Sequence, residues 1–125
     1  MKGFKNSAFH KWAEKQGISD EALNEAIKEM NQGSYEANLG SNVYKKRISI
    51  GNKGKSGGVR TIVAFKVHDK AFFIYGFTKS KKENIDEKEL KALKRLATIY
   101  LNLTEEELSR TVLRGELIKI EVHNG

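Results

Sequence analysis

Two strongly β-prone runs, VRTIVAFKV (59–67) and AFFIYGFT (71–78), are separated only by His68, Asp69 and Lys70. Nothing else in the chain limits its fold as tightly. β-Branched and aromatic side chains suit a pleated, half-buried surface, and a short polar connection between two such runs predicts an antiparallel hairpin. Both runs are apolar enough to be central strands. Alternation places Arg60, Ile62, Ala64 and Lys66 on one face of the first, with Thr61, Val63, Phe65 and Val67 on the other. In the second, the same rule puts Phe73, Tyr75 and Phe77 on a shared face.

Other segments arrange themselves around this hairpin. Residues 43–50 read as a strand with Tyr44, Ile48 and Ile50 on one face and Lys45, Arg47 and Ser49 on the other. Lys46 interrupts the apolar face, as a residue near a strand start or edge would. A short edge strand is expected around 35–38. Phe9, Trp12 and Ala13 recur at helical spacing over 5–16, ending at Gly17. Ser19 caps a second helix, with Asp20 and Glu21 in its first turn and Leu23, Ile27 and Met30 as its buried stripe. A third helix opens at Asp86 and buries Leu90, Leu93, Leu96, Ala97 and Tyr100. A fourth opens at Thr104 with Glu107 three residues on and ends near Gly115. Residues 117–122 alternate as a terminal strand. The predicted order is α–α–β–β–β–α–α–β: an α+β fold with an N-terminal helical hairpin packed on a small, mostly antiparallel sheet, and C-terminal helices.

A chain of 125 residues is one domain, with room for a modest core. It has no cysteine, which excludes disulfides, thiolate catalysis and Cys-ligated metal, and fits a reducing, cytoplasmic location. No apolar run approaches the ~20 residues that span a bilayer, and the first residues lack the apolar stretch of a signal peptide. No membrane association is expected.

Charge is unevenly placed. Residues 43–82 carry eleven Lys or Arg and one acid, Asp69, or +10; the other 85 residues carry twelve basic and fifteen acidic residues, or −3. A positive field gathered in one β-region is the electrostatic footprint of a nucleic-acid binder. Within it, GNKGKSGG (51–58) has the Gly-Lys-Ser end of a nucleotide-binding P-loop, but Ser49 stands where that motif needs its first glycine, and NTP binding is excluded. The glycines instead let backbone approach a phosphate while Lys53 and Lys55 supply charge. Arg60 can hold a phosphate with two parallel hydrogen bonds. Lys79, Lys81 and Lys82 close the third strand towards the same surface. His10, His68 and His123 lie in unrelated segments without metal-ligand spacing, and most acids sit in helix first turns. Any nuclease chemistry here must run on Lys and Arg, with no metal or cofactor. The aromatics of 72–77 are expected mainly in the core, one near the strand end being free to stack on a base.

The segments YKKRI (44–48), GKSGGVRTIVAF (54–65) and FFIYGFTKSKKENI (72–85), running into DEKELKALKRLA (86–97), resemble the RelE/HigB toxins of type II toxin–antitoxin systems. The resemblance implies the RelE-like microbial ribonuclease fold over residues 1–102, with 103–125 as a C-terminal extension packed on the same domain. It implies a metal-independent endoribonuclease that cleaves translated mRNA on the ribosome and is neutralised by a cognate antitoxin protein. Lys53, Lys55, Arg60 and Lys79 match the catalytic positions; Lys45, Arg47, Lys81, Lys82 and Phe77 would contact RNA. Many relatives carry Tyr where this chain has Phe77, and Phe cannot transfer a proton. Two other functions remain open: a non-catalytic nucleic-acid binder, and a ParE-like toxin acting on another target such as DNA gyrase.

Overall fold

The chain opens with a strand. The computed structural model describes residues 2–49, 58–78 and 84–122. Its elements run β1 (Lys2–Asn6), α1 (Ser7–Gln16), α2 (Asp20–Asn31), β2 (Ala37–Gly40), β3 (Val43–Ile48), β4 (Val59–Lys66), β5 (Lys70–Thr78), α3 (Glu87–Leu101), α4 (Glu105–Leu113) and β6 (Leu117–Lys119). Six strands form one mixed sheet in the order β2-β3-β4-β5-β1-β6, in which β1 lies parallel to β5 and antiparallel to β6.

This corrects the architecture expected from sequence. The helices are not an N-terminal hairpin on a small sheet; a strand precedes them and is inserted between β5 and the C-terminal strand, while the sheet is mostly antiparallel as expected, with β1–β5 its parallel pairing. Residues 2–6 read KGFKN, too short and too polar for alternation to reveal them. Lys5 is buried with Nζ 2.8 Å from Asp20 Oδ1 at the start of α2. The ion pair explains why a cation tolerates that position.

Asn6 does two jobs. Its Oδ1 accepts from the Phe9 N–H and caps α1, and its Nδ2 donates to the Ile74 carbonyl, 3.1 Å away. That carbonyl belongs to a β-bulge. Ile62 pairs with Tyr75 but Val63 pairs with Phe73, so Ile74 is the extra residue on β5. A bulge reverses the face of every residue beyond it. Phe73 therefore packs with Phe9 under α1 and α2, whereas Tyr75 and Phe77 turn to the α3 side. The face shared by Phe73, Tyr75 and Phe77 in the sequence reading does not exist. Gly76 consequently sits beneath α1, where the Trp12 ring fills the space a Cβ would need.

The two faces of the sheet are covered separately. Phe9, Leu23, Ile27, Met30, Val63, Phe65 and Phe73 pack under α1 and α2. Phe4, Val43, Ile62, Phe72, Ala97, Leu101, Leu108 and Leu117 pack under α3 and α4. Each fully buried large side chain contributes about 1.5–3 kcal/mol. Helix starts fall where the cap residues predict: Ser19, Asp86 and Thr104 each accept a hydrogen bond from the backbone N–H three residues on, and Thr104 with Glu107 completes a capping box. Gly17 ends α1 in the left-handed region at φ 73°.

Lys46 lies well inside the sheet rather than at an edge. It is buried beneath α2, with Nζ 2.7 Å from Glu29 Oε1 and 3.1 Å from the Ser34 carbonyl. No helix among the described residues is long and apolar enough to cross a membrane.

Candidate functional site

Lys45, Arg47 and Arg60 project from neighbouring strands towards the α3 side of the sheet. The antiparallel register sets Arg47 directly opposite Arg60, and Arg60 opposite Phe77 on β5. Like charges in directly opposed positions repel, so this pair needs an anion to be stable. The described anion is Glu36, immediately before β2. Its Oε2 lies 3.1 Å from Arg60 Nε, and its Oε1 lies 3.5 Å from Arg47 Nη2.

Glu36 leaves the arginines incompletely satisfied. Arg60 is only 4 % exposed, yet its Nη1 is buried with no hydrogen-bond partner among the described residues. Arg47 Nε is in the same condition. Buried N–H donors without acceptors cost free energy, and in native structures they mark a place where an acceptor belongs. Two guanidiniums with free donors on one face form a receptor for a tetrahedral anion.

Comparison with the other buried cations isolates this feature. Lys5 is neutralised by Asp20 and Lys46 by Glu29, and neither retains a buried donor without a partner among the described residues. Those pairs tie helices to the sheet. Burial alone would raise the Asp20 carboxyl, but Lys5 Nζ and the Glu121 backbone N–H hold it below the usual carboxylate range. Among the described residues, only the Arg47–Arg60–Glu36 group combines charge excess with buried, unused N–H donors.

Lys45 stands two residues before Arg47 on the same face, between Ala37 and Ile62 of the neighbouring strands. Phe77 is 5 % exposed and belongs to the α3-side core, its ring centroid 6.1 Å from that of Tyr75. In this arrangement it offers no open face to a base. Tyr75 is half-buried, and its hydroxyl donates to Glu89 Oε2 at 3.2 Å. Lys53, Lys55, Lys79, Lys81 and Lys82 lie outside the described residues. Among the described residues no group of three His, Asp or Glu side chains is placed to hold a metal ion.

Glu36 is the residue that sequence reading missed. It is the only acid between Gly33 and Ser49, and unlike most of the other acids it has no helix first turn to explain it. That exception was visible in the sequence. Its pairing with two arginines on separate strands was not.

A mixed six-stranded sheet flanked by two helix pairs, with two arginines directly opposed on adjacent strands, defines a small basic α+β protein. Residues 1–120 match the model of the RelE toxin of the RelE / RelB toxin-antitoxin system, and the chain belongs to that family. It is the toxin half of a toxin–antitoxin module, and its partner is an antitoxin. No curated protein matches the sequence significantly.

Proposed function

We propose that the chain is a ribosome-dependent, metal-independent endoribonuclease that cleaves translated mRNA in the cytoplasm. The supporting observation is the opposed Arg47–Arg60 pair, whose buried, unpartnered N–H groups suit a phosphodiester oxygen. In such a reaction the ribose 2′-oxygen attacks the adjacent phosphorus, the P–O5′ bond breaks, and a 2′,3′-cyclic phosphate and a free 5′-hydroxyl result. Negative charge accumulates on the non-bridging oxygens, where Arg60 and Arg47 stabilise it. The substrate phosphate takes over the donors that Glu36 engages in the free protein. Proton removal from the 2′-hydroxyl and proton delivery to the 5′-oxygen fall to Lys53, Lys55 and Lys79, the lysines matched by family resemblance: one takes the 2′-hydroxyl proton as a neutral amine, and another, as an ammonium, gives a proton to the leaving 5′-oxygen. Lys45, Lys81 and Lys82 hold flanking RNA. The antitoxin suppresses the activity by covering this basic face.

The test is brief induction in a bacterial host followed by mapping of new mRNA 5′ ends, beside an Arg60→Ala control. Cuts within translated codons that vanish in the control support the reading. Growth arrest with intact mRNA would overturn it.

A further inference from the structure

Several basic residues elsewhere on the molecule are matched with acids, while Lys11, Lys15, Lys28, Lys66 and Lys119 form no ion pair among the described residues. Lys2 and Lys70 meet Glu105, Arg110 meets Glu106, and Arg114 meets Glu116. Helix α3 differs. Lys88, Lys91, Lys94 and Arg95 occupy two of its turns, and none forms an ion pair among the described residues. Cations three and four residues apart on a helix repel, and in α3 only Glu87, four residues before Lys91, is spaced to offset this. Of its first-turn acids, Glu89 is engaged by Tyr75.

The position of this ridge is specific. Lys94 reaches over the β2–β3 turn, its Nζ 3.4 Å from where a Gly40 Cβ would stand. Gly40 pairs with Val43, and from Val43 the α3-side positions of β3 continue through Lys45 to Arg47. Alternate strand residues are about 6.6 Å apart. Cations therefore run from the Arg47–Arg60 pair, which shares Glu36, past Lys45 to Lys94 and Lys91, the last three without an ion pair among the described residues. Between Lys91 and Lys94, Leu90 and Glu87 complete an open groove of about 300 Å³.

We infer that this groove is a second RNA-phosphate subsite, in which Lys91 and Lys94 hold the backbone two or more nucleotides away from the phosphate at Arg60, with Lys45 between them. Half-buried Leu90 gives a ribose or base an apolar floor, while Glu87 sets the end of the track by repelling further phosphate. The subsite rests on the ribonuclease reading of the arginine site, which it extends by fixing the path of the substrate strand.

The test uses RNA that cannot be cleaved. Fully 2′-O-methylated oligonucleotides, a trinucleotide and a dodecanucleotide, are titrated against the parent, an Arg60→Gln variant and a Lys91→Gln/Lys94→Gln double variant across a salt series. Circular dichroism verifies that α3 is retained. Each phosphate contact to a single strand adds about 0.7 to the salt slope, so losing two lowers it by roughly 1.4. The double variant should bind the dodecanucleotide about 25-fold more weakly at ~0.1 M salt, converging on the parent near ~1 M. It should bind the trinucleotide as the parent does. Unchanged dodecanucleotide affinity and slope in the double variant, with affinity lost in Arg60→Gln, would refute the subsite and leave the arginine site standing. Equal weakening for both lengths would also refute it, because the lysines would then act only as a general field. If Arg60→Gln binds both oligonucleotides like the parent, the ribonuclease reading fails and the subsite falls with it.

Discussion

Replacing Glu36 by Gln keeps the shape of the side chain and removes the charge that separates two arginines. At about 5 Å and an effective dielectric constant near 20, two guanidiniums repel by about 3 kcal/mol. Arg47 is more than a third exposed, and solvent screens it, so the net loss should be about 1–2 kcal/mol. For a chain of this length that corresponds to a fall in Tm of roughly 3–8 °C. The loss should be recoverable. Inorganic phosphate entering between Arg47 and Arg60 stabilises the folded state by RT ln(1 + [L]/Kd), about 1.4 kcal/mol at ten times Kd. In the parent, Glu36 occupies the same donors, and the phosphate response should be smaller. The assay is thermal melting in rising phosphate, with potassium chloride adjusted to constant ionic strength. A Glu36→Gln variant as stable as the parent, or equal phosphate responses in the two proteins, would refute the idea that Glu36 and phosphate share these arginines.

Three further outcomes are expected. Arg60→Lys keeps the charge but loses the planar fork, and should lower the rate of mRNA cleavage in a translating extract by about 10²–10³; a near-parental rate would remove Arg60 from the chemistry. Gly76→Ala drives a methyl group into the Trp12 ring and should cost about 1–3 kcal/mol in denaturant unfolding, with part of it regained when Trp12 is also reduced to Leu. Because Asp20 is held below its ordinary value of 3.8, the folded state prefers it ionised; its contribution is full above that value and is lost as pH falls through the lower, folded-state value. Asp20→Asn should therefore be less stable than the parent near neutrality, and the gap should close on acidification below about pH 4.

The positions that followed local rules were legible in the sequence. Ser19, Asp86 and Thr104 start helices because a side-chain oxygen three residues before a free N–H is a local arrangement. The 59–67 and 71–78 hairpin was readable because both strands are apolar over their length. What escaped was non-local. KGFKN becomes a strand only because β5 and β6 are available on either side and Asp20 neutralises Lys5. The bulge at Ile74 cannot be read from FFIYGF, since it depends on Asn6 meeting an otherwise unpaired carbonyl. That one residue moved Tyr75 and Phe77 to the opposite face. Arg47 and Arg60 stood out as cations in the sequence, but their direct opposition is a matter of register and needed the fold.

Register also separates structural charge from functional charge in this molecule. Each of the buried cations Lys5, Lys46 and Arg60 has a carboxylate partner, so burial and pairing alone do not mark a site. A lysine ammonium has three donors, and Lys46 divides them between Glu29 and the Ser34 carbonyl. An arginine has five in a fixed fork, and one carboxylate shared between two arginines cannot satisfy them. The surplus donors fall on adjacent strands of a sheet packed on both faces, where side-chain positions are held rigidly. An electrostatic receptor that must not reorganise as charge develops belongs on such a scaffold. On this argument Lys5 and Lys46 should tolerate replacement by an apolar residue together with their carboxylates. The Arg47–Arg60 pair should not, if its unspent donors serve the proposed phosphate site.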